Sequence, residues 1–410
     1  MSGPADVFLV LQDGELEIHE GPSPIPRTQR NSHIVIIGGG VTGLTTAWAL
    51  LDAGFTVTVV SDRWASAEDP ITSQIAGALW EWPPAVCGSH TSAASLERSK
   101  GWCMTSYRAF SALSTTFQAR GEKVGHGIRL RVANFLFDRP ARCNAEDYKK
   151  ILEIEEAEIP GFMHDPVLPM RHAIGRNCGI VDAYRHISPV IDTDAYMVWL
   201  RQLVGNKGGR LVTHHISGSL LEQEDDILAM FRANIIINAA GLAASEAAED
   251  PTVHPLRGAL IRVVNDGTKF RKLDEAIVVA YDEAKRDDDG GIVFILPRND
   301  TTLLLGGLAQ PNESSLDLTL DSPEVRRMRA RCERFLPGLE HADLDPHAPL
   351  VQALRPARRE NVRVEREPRR KSDGSQSRIV HSYGHGGSGF TLSFGCAGDV
   401  LQLCKCMEHD

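Results

Sequence analysis

Residues 33–62 read HIVIIGGGVTGLTTAWALLDAGFTVTVVSD, and the fold turns on this stretch. Ile34–Ile37 is an apolar run, β-branched throughout and too short for a buried helix, so it reads as a strand covered on both faces. Gly38, Gly40 and Gly43 follow at G-x-G-x-x-G spacing, and Leu44–Leu51 reads as a helix begun inside the motif. The spacing suits a pyrophosphate. The first glycine permits the tight turn, the second lets backbone approach the phosphates, and the third lets helix and strand pack closely. The helix N-terminus adds unpaired N–H groups and positive dipole. A second strand, Phe55–Val60, leads to Asp62, 19 residues after Gly43, where a carboxylate can accept ribose hydroxyls. Together these features indicate a dinucleotide site; the motif alone leaves NAD and FAD both open.

A chain of 410 residues suits about two to three domains. Its 42% hydrophobic and 24% charged residues describe a soluble globular protein. The net charge of −10 argues against nucleic acid or an anionic membrane as main partner, and solubility is its plainer meaning. No apolar run approaches a membrane span. Residues 1–32 hold one apolar patch, Val7–Leu11, without a basic region or small-residue cleavage site, so no secretory signal is expected. The chain ends Glu408-His409-Asp410 rather than in a peroxisomal S-K-L-type tripeptide. A cytoplasmic location is expected. The eight cysteines form no C-x-x-C pair and no His cluster completes a zinc set, so no metal is expected and the compartment reads as reducing.

Pro4, Pro22, Pro24 and Pro26 interrupt residues 1–32, which read as an extension of poor periodicity, lying on the surface or covering an edge. In Thr72–Trp80 the small residues suit close approach to a phosphate or flat ring, and equally a helix cap by Thr72 or Ser73. Residues 90–120 read as a helix with Tyr107, Phe110, Leu113 and Phe117 as a core stripe, and Gly125–Phe137 as strands. Ala145–Ala157 reads as an acidic helix with Glu153, Glu155 and Glu156 on its wet face. Helix Asp192–Val204 and strand Gly209–Val212 follow, then a buried strand from Ala233 that ends on small residues and Gly241. Gly258–Val264, Ala276–Tyr281, Ile292–Pro297 and Thr302–Leu305 read as strands, with Lys285–Asp289 a solvated turn and Pro323–Leu336 a helix. The glycines at 384, 386, 387 and 389 are an entropically costly way to make an ordinary turn, and suit a second close backbone approach.

The expected fold class is therefore α/β. A discontinuous Rossmann-like domain (33–80, 180–250, 350–410) is joined by an α+β domain with an antiparallel sheet (81–179, 251–349), after the 1–32 extension.

At this point the chain resembles the D-amino-acid oxidase family of FAD enzymes over most of residues 33–400. IVHSYGHGGSGFTLSFGCA matches that family's C-terminal signature, with Ser382 where Asn, His or Ala is usual. VVSDRW, TSQIAGALW, ANIIINAAG, LRGAL from Leu256, LLLGGLAQ from Leu303 and LRPARRENVRVERE follow in the family's order. The resemblance selects FAD over NAD. It implies that Gly38, Gly40, Val41, Thr42, Gly43, Asp62 and Arg63 hold the ADP half. Thr72, Ser73, Gly77, Ala78 and Leu79 would lie along the phosphates and flavin. Ile216 would touch the adenine side, Gly241 the strand end, and Gly386, Ser388, Gly389, Phe390 and Thr391 the flavin end. Arg355 matches the arginine that clamps the substrate carboxylate, and Gly387 the residue whose carbonyl orients the amine.

Two departures bear on substrate. Where the family usually has two tyrosines, Phe294 replaces one and Gly290-Gly291 falls near the other. Gly306-Gly307 leads to Leu308, without the arginine of acidic-substrate members, so D-aspartate is not the expected substrate. The resemblance implies hydride transfer from the substrate α-carbon to flavin N5, with the protein mainly orienting the reactants and dioxygen yielding peroxide. His381, His385 and Tyr383 invite catalytic readings, but satisfied scaffold residues beside a tight loop are the better account. The expected partners are a small amino compound and dioxygen, with a homodimer open. Three readings remain: a D-amino-acid oxidase, an oxidase or dehydrogenase of a secondary, cyclic or biosynthetic amine, and a flavin-binding protein without turnover.

Overall fold

A computed structural model describes residues 7–21, 30, 32–121, 126–167, 178–280 and 292–408. Its strands are β1 Val7–Gln12, β2 Glu15–Glu20, β3 His33–Ile37, β4 Thr56–Ser61, β5 Ile128–Phe137, β6 Met163–His164, β7 Asp182–Ile191, β8 Arg210–Thr213 and β9 Ile235–Asn238. Then come β10 Val253–Val264, β11 Ala276–Ala280, β12 Val293–Pro297, β13 Thr302–Gly306, β14 Gln310–Pro311, β15 Leu350–Arg358, β16 Arg363–Arg366 and β17 Ile379–Tyr383. The helices are α1 Val41–Asp52, α2 Thr72–Ile75, α3 Ala93–Ala119, α4 Ala145–Glu156, α5 Thr193–Asn206, α6 Glu224–Phe231, α7 Ala244–Ala247, α8 Pro323–Glu333 and α9 Gly389–Met407. Gly125, Tyr281, the Lys285–Asp289 turn, Gly290, Gly291 and the prolines at 4, 22, 24 and 26 lie outside the described residues.

One sheet runs β16-β17-β9-β3-β4-β8, parallel throughout except β16 against β17. Alternation along its strands splits the apolar side chains between two faces. Ile34, Ile36, Val57, Val59, Ile235 and Ile237 share a core with α1, α5 and α9. Val35, Ile37, Val60, Ile236 and Ile379 share another with Ile227 and Phe231 of α6. Burial on both faces is why these strands read as unbroken apolar runs.

A nine-stranded sheet runs β14-β10-β13-β12-β11-β5-β7-β6, with β15 also paired to β10. It is antiparallel apart from β11 beside β5. β7 and β15 therefore lie in this sheet, although the sequence groups their segments with the dinucleotide-binding ones. Residues 128–137 form a single strand. One face, with Ile261, Val263, Ile277, Val293 and Ile295, packs on Val325, Met328 and Cys332 of α8. Register places Phe294, Val278, Phe135 and Tyr184 abreast on the opposite face. Leu260 joins that row beside Gly306.

Two expectations need correction. The 1–32 extension is not merely a surface segment: β1 and β2 form a hairpin through Asp13 (φ 50°) and Gly14 (φ 88°). Such a two-residue turn needs left-handed backbone, which Asp-Gly supplies. Val7, Leu9 and Leu16 are buried in the core shared with α1, α3 and α9. The hairpin is fastened from beneath. Leu9 N–H donates to Asp52 Oδ2 at 2.8 Å, and Asp52 Oδ1 meets Lys207 Nζ at 2.7 Å, both side chains only 1% exposed. Glu153 is not a wet-face residue: it accepts from Lys100 Nζ at 2.7 Å and Trp82 Nε1 at 3.2 Å, while Glu155 and Glu156 are exposed as expected. The Tyr107–Phe117 stripe is buried. Among the described residues no helix is long and apolar enough to cross a membrane, and no His/Cys/Asp/Glu group could hold a metal.

Candidate active site

The order of the parallel sheet reverses at β3, which has β4 on one side and β9 on the other, so a crevice opens at their carboxyl ends. Gly38 (φ 124°) turns the chain there, and a Cβ on it would sit 2.2 Å from Ala239 O. A Cβ on Gly43 would sit 2.0 Å from Gly38 O, so α1 meets β3 backbone to backbone. No side chain caps α1; Val41 N–H instead donates to Ser73 Oγ at 3.1 Å. The open cap reading of Ser73 is thereby resolved: its hydroxyl faces the first glycine loop, and Gln74 bonds Ile71 N–H at the head of α2. Gly389 opens α9 with its Cβ position 3.6 Å from Val41, and no side chain caps α9 either. Two helix N-termini thus converge on one crevice, each carrying partial positive charge.

Asp62 stands exposed past the end of β4, and Arg63 pairs with Asp69 at 3.3 Å. Ile216 follows β8, whose end is tied back by His214 N–H to Ser61 O at 2.9 Å. Gly241 (φ 61°) and Ala239 border the crevice from β9. Thr72 is exposed on α2, and Thr42 is half-buried in the first turn of α1. Ser388, Phe390 and Thr391 are buried at the start of α9. Trp64, not singled out by the sequence, lies where a Cβ on Gly39 would meet its ring at 2.8 Å.

A second cluster lies between the sheets. Gly77 packs under the Phe294 ring, 2.8 Å from its own Cβ position, and Ala78 (φ 54°) accepts from Ile191 N–H. Leu79 bridges Val190 at the end of β7. Arg355 projects from β15 beside Gly258, whose missing side chain leaves the room: a Cβ there would be 2.3 Å from Nη1. Arg355 Nη1 donates to Leu308 O at 3.1 Å, and no carboxylate pairs with the guanidinium among the described residues. Burial lowers its pKa from the usual guanidinium value, opposed by the nearby Cys87 thiol. Gly386 N–H donates to Pro356 O, holding the glycine loop against β15. Exposed Gly387 has its Cβ position 3.3 Å from Cys87 Sγ and 3.9 Å from Arg355 Cδ. Cys87 (φ 63°) was missed; a lone cysteine in a loop gives no sequence signal.

Of the two histidines, His381 is held on both ring nitrogens, whereas His385 Nε2 is buried without a hydrogen-bond partner among the described residues. His381 is 1% exposed, bonded to Glu367 at 3.0 Å and Asn238 at 3.2 Å. Burial pushes His385 down to about 4, so it is neutral near pH 7. Tyr383 is fully buried, donating to Asp250 at 2.9 Å and accepting from Arg363 at 2.7 Å. Arg298, also unread from the sequence, is buried beneath the 74–78 loop.

The crevice suits FAD: Gly38 and Gly43, where a Cβ would strike backbone, helix N-termini without a cap from their own first residues, and an exposed carboxylate one strand away. Comparison agrees. The family model described as FAD dependent oxidoreductase matches residues 33–403. The chain is 30% identical to a D-amino-acid oxidase of Rubrobacter xylanophilus over 369 residues, covering 90% of this chain and 94% of the relative. It is 29% identical to a D-amino-acid oxidase of Streptomyces coelicolor, covering 92% and 98%. Among solved structures, glycine oxidase from Geobacillus kaustophilus superposes with a TM-score of 0.67 at 15% identity, covering 92% of this chain and 95% of that one. With matches of this extent, the chain belongs to the D-amino-acid oxidase family of FAD-dependent oxidoreductases.

Proposed function

We propose that the protein oxidises a D-amino acid or close relative. The carrying observation is Arg355, a part-buried guanidinium with no carboxylate partner among the described residues, beside an exposed glycine backbone. A planar fork in that setting suits a ligand carboxylate bound through two parallel hydrogen bonds. Leu308 O orients the fork through Nη1, and the Gly387 carbonyl would accept from the substrate amine, as the family resemblance implies. Gly38, Gly40, Val41, Thr42, Gly43, Asp62 and Arg63 would hold the ADP half of FAD, with Ile216 and Gly241 at its margins. The residues from Thr72 to Leu79 and from Gly386 to Thr391 would flank the pyrophosphate and flavin. Bound FAD would supply a two-electron acceptor for the α-carbon hydride, with dioxygen as the terminal oxidant and peroxide as its product. The imine product then takes up water to give a keto acid and ammonia.

The purified protein should carry non-covalent FAD and absorb in the blue and near-ultraviolet. A colourless protein that binds NAD but not FAD would overturn this assignment.

Substrate range follows from the wall. Phe294 is half-buried, brings no hydroxyl, and continues through Val278 toward Phe135 as an apolar row. A lost hydroxyl hydrogen bond to the charged carboxylate costs about 1.5 to 3 kcal/mol. A large side chain recovers this through burial at about 25 cal/mol per Å², which D-alanine cannot do. D-alanine should therefore be a poor substrate, and aromatic or cyclic amino compounds better ones. Steady-state kcat/KM across a size series of D-amino acids and cyclic amines measures this; fast, selective turnover of D-alanine would refute it. The missing hydroxyl also keeps a cyclic or secondary amine as the second reading, separated by anaerobic flavin bleaching with each amine.

A further inference from the structure

We propose that Arg298 is a positioning residue for the flavin, locking the 74–78 loop to the same sheet that carries Arg355. The inference rests on the reading that this loop lies along FAD.

Arg298 follows β12 and is 1% exposed, an unusual site for an arginine without a close, buried acid. Its Nη2 donates to Ala76 O at 2.6 Å and Thr193 Oγ1 at 2.7 Å, with Gln74 O at 3.3 Å. Its Nη1 meets Asp194 at 3.3 Å, a carboxylate whose side chain is 42% exposed. Two of these four bonds are thus spent on backbone carbonyls where α2 ends, groups that a helix cannot satisfy by itself. Thr193 Oγ1 also donates to Gln74 O, so the hydroxyl and guanidinium grip the same turn. Burial pushes the Arg298 pKa down to about 10, leaving it charged at neutral pH.

Phe294 lies four residues earlier, within β12, and covers Gly77. β12 therefore holds the loop twice, by a ring at Gly77 and by a guanidinium at Ala76. Beyond Ala78 the loop is caught by β7 through Ile191 N–H and the Leu79–Val190 bridge. β12, β7 and β15 belong to one hydrogen-bonded sheet, so cofactor loop and substrate arginine are set by one frame. Reaction requires the two reactants within a few tenths of an ångström of alignment, which loosening one side would spoil.

The test uses Arg298→Met, Arg298→Lys and Thr193→Val in the full chain. FAD affinity is read by flavin fluorescence quenching, and the reduction potential and visible bands of the saturated protein are recorded. Arg298→Met should weaken FAD binding at least tenfold and shift the bands. It should lower kcat while leaving KM for the carboxylate substrate within about threefold. Arg298→Lys should recover part of each, because one ammonium reaches fewer carbonyls. Thr193→Val, which keeps the guanidinium, should show a smaller change in the same direction; it decides the matter if Arg298→Met does not fold. Unchanged affinity, bands and potential in the folded variants would overturn the proposal. If wild-type protein itself binds no FAD, the underlying reading fails instead.

Discussion

Arg355→Leu should keep its FAD while kcat/KM for a carboxylate substrate falls by roughly 10² to 10⁴. That range corresponds to about 3 to 5 kcal/mol, the cost of leaving one member of a desolvated ion pair alone. The size of the effect follows from the site. Nη1 has a carbonyl, Leu308 O, but no described carboxylate shares the guanidinium's charge. Arg355→Lys should restore only part of the activity, since a point charge cannot reproduce the fork. Flavin absorbance checks cofactor retention and initial rates give kcat/KM. If both variants turn over the true substrate at the wild-type rate, that substrate carries no carboxylate at this position.

The second large effect is on stability. Asp52→Ala removes the carboxylate facing Lys207 and the acceptor for Leu9 N–H, all inside the core under the hairpin. Burial already raises the Asp52 pKa, against the opposing pull of Lys207. Leaving the ammonium without that carboxylate should cost about 3 to 5 kcal/mol. Lys207 Nζ also lies 4.1 Å from the Phe8 ring centroid and 5.9 Å from that of Trp48, which offsets only part of the loss. Asp52→Leu combined with Lys207→Met should recover most of the stability, because replacing both partners removes both desolvation penalties. Denaturant titration followed by flavin and tryptophan fluorescence measures the change. An Asp52→Ala protein whose midpoint matches wild type would refute it.

The elements legible in the sequence are those where one periodicity dominates. β3, α1 and β4 have glycines fixed by backbone contact and strands apolar on both faces, and α3 has a stripe at helical spacing. The hairpin at 7–20 was legible in principle, since Asp13-Gly14 between apolar runs signals a tight turn. Its VFLVL run shows no alternation in sequence or structure, because Val7, Phe8 and Leu9 are all buried while Val10 and Leu11 keep partial cover. Charge misled at Glu153, whose acidic neighbours suggested water although Lys100 and Trp82 reach it from other segments. For Arg298 and Cys87 no local pattern exists: their meaning comes from carbonyls and glycines some 200 to 300 residues distant in sequence.

The parallel sheet also dictates when the protein can become a holoenzyme. β17 completes it only by lying beside β9, with Ile379 against Ile236, and α9 then covers α1. During synthesis, the first glycine loop leaves the ribosome more than 300 residues before the last one. A nascent chain holding β3 and α1 has one helix terminus of the crevice but not the other. Such long-range closure is slow and leaves sheet edges unpaired meanwhile. The crevice is therefore incomplete until β17 and the start of α9 have emerged, and a chain halted before β17 lacks half of it.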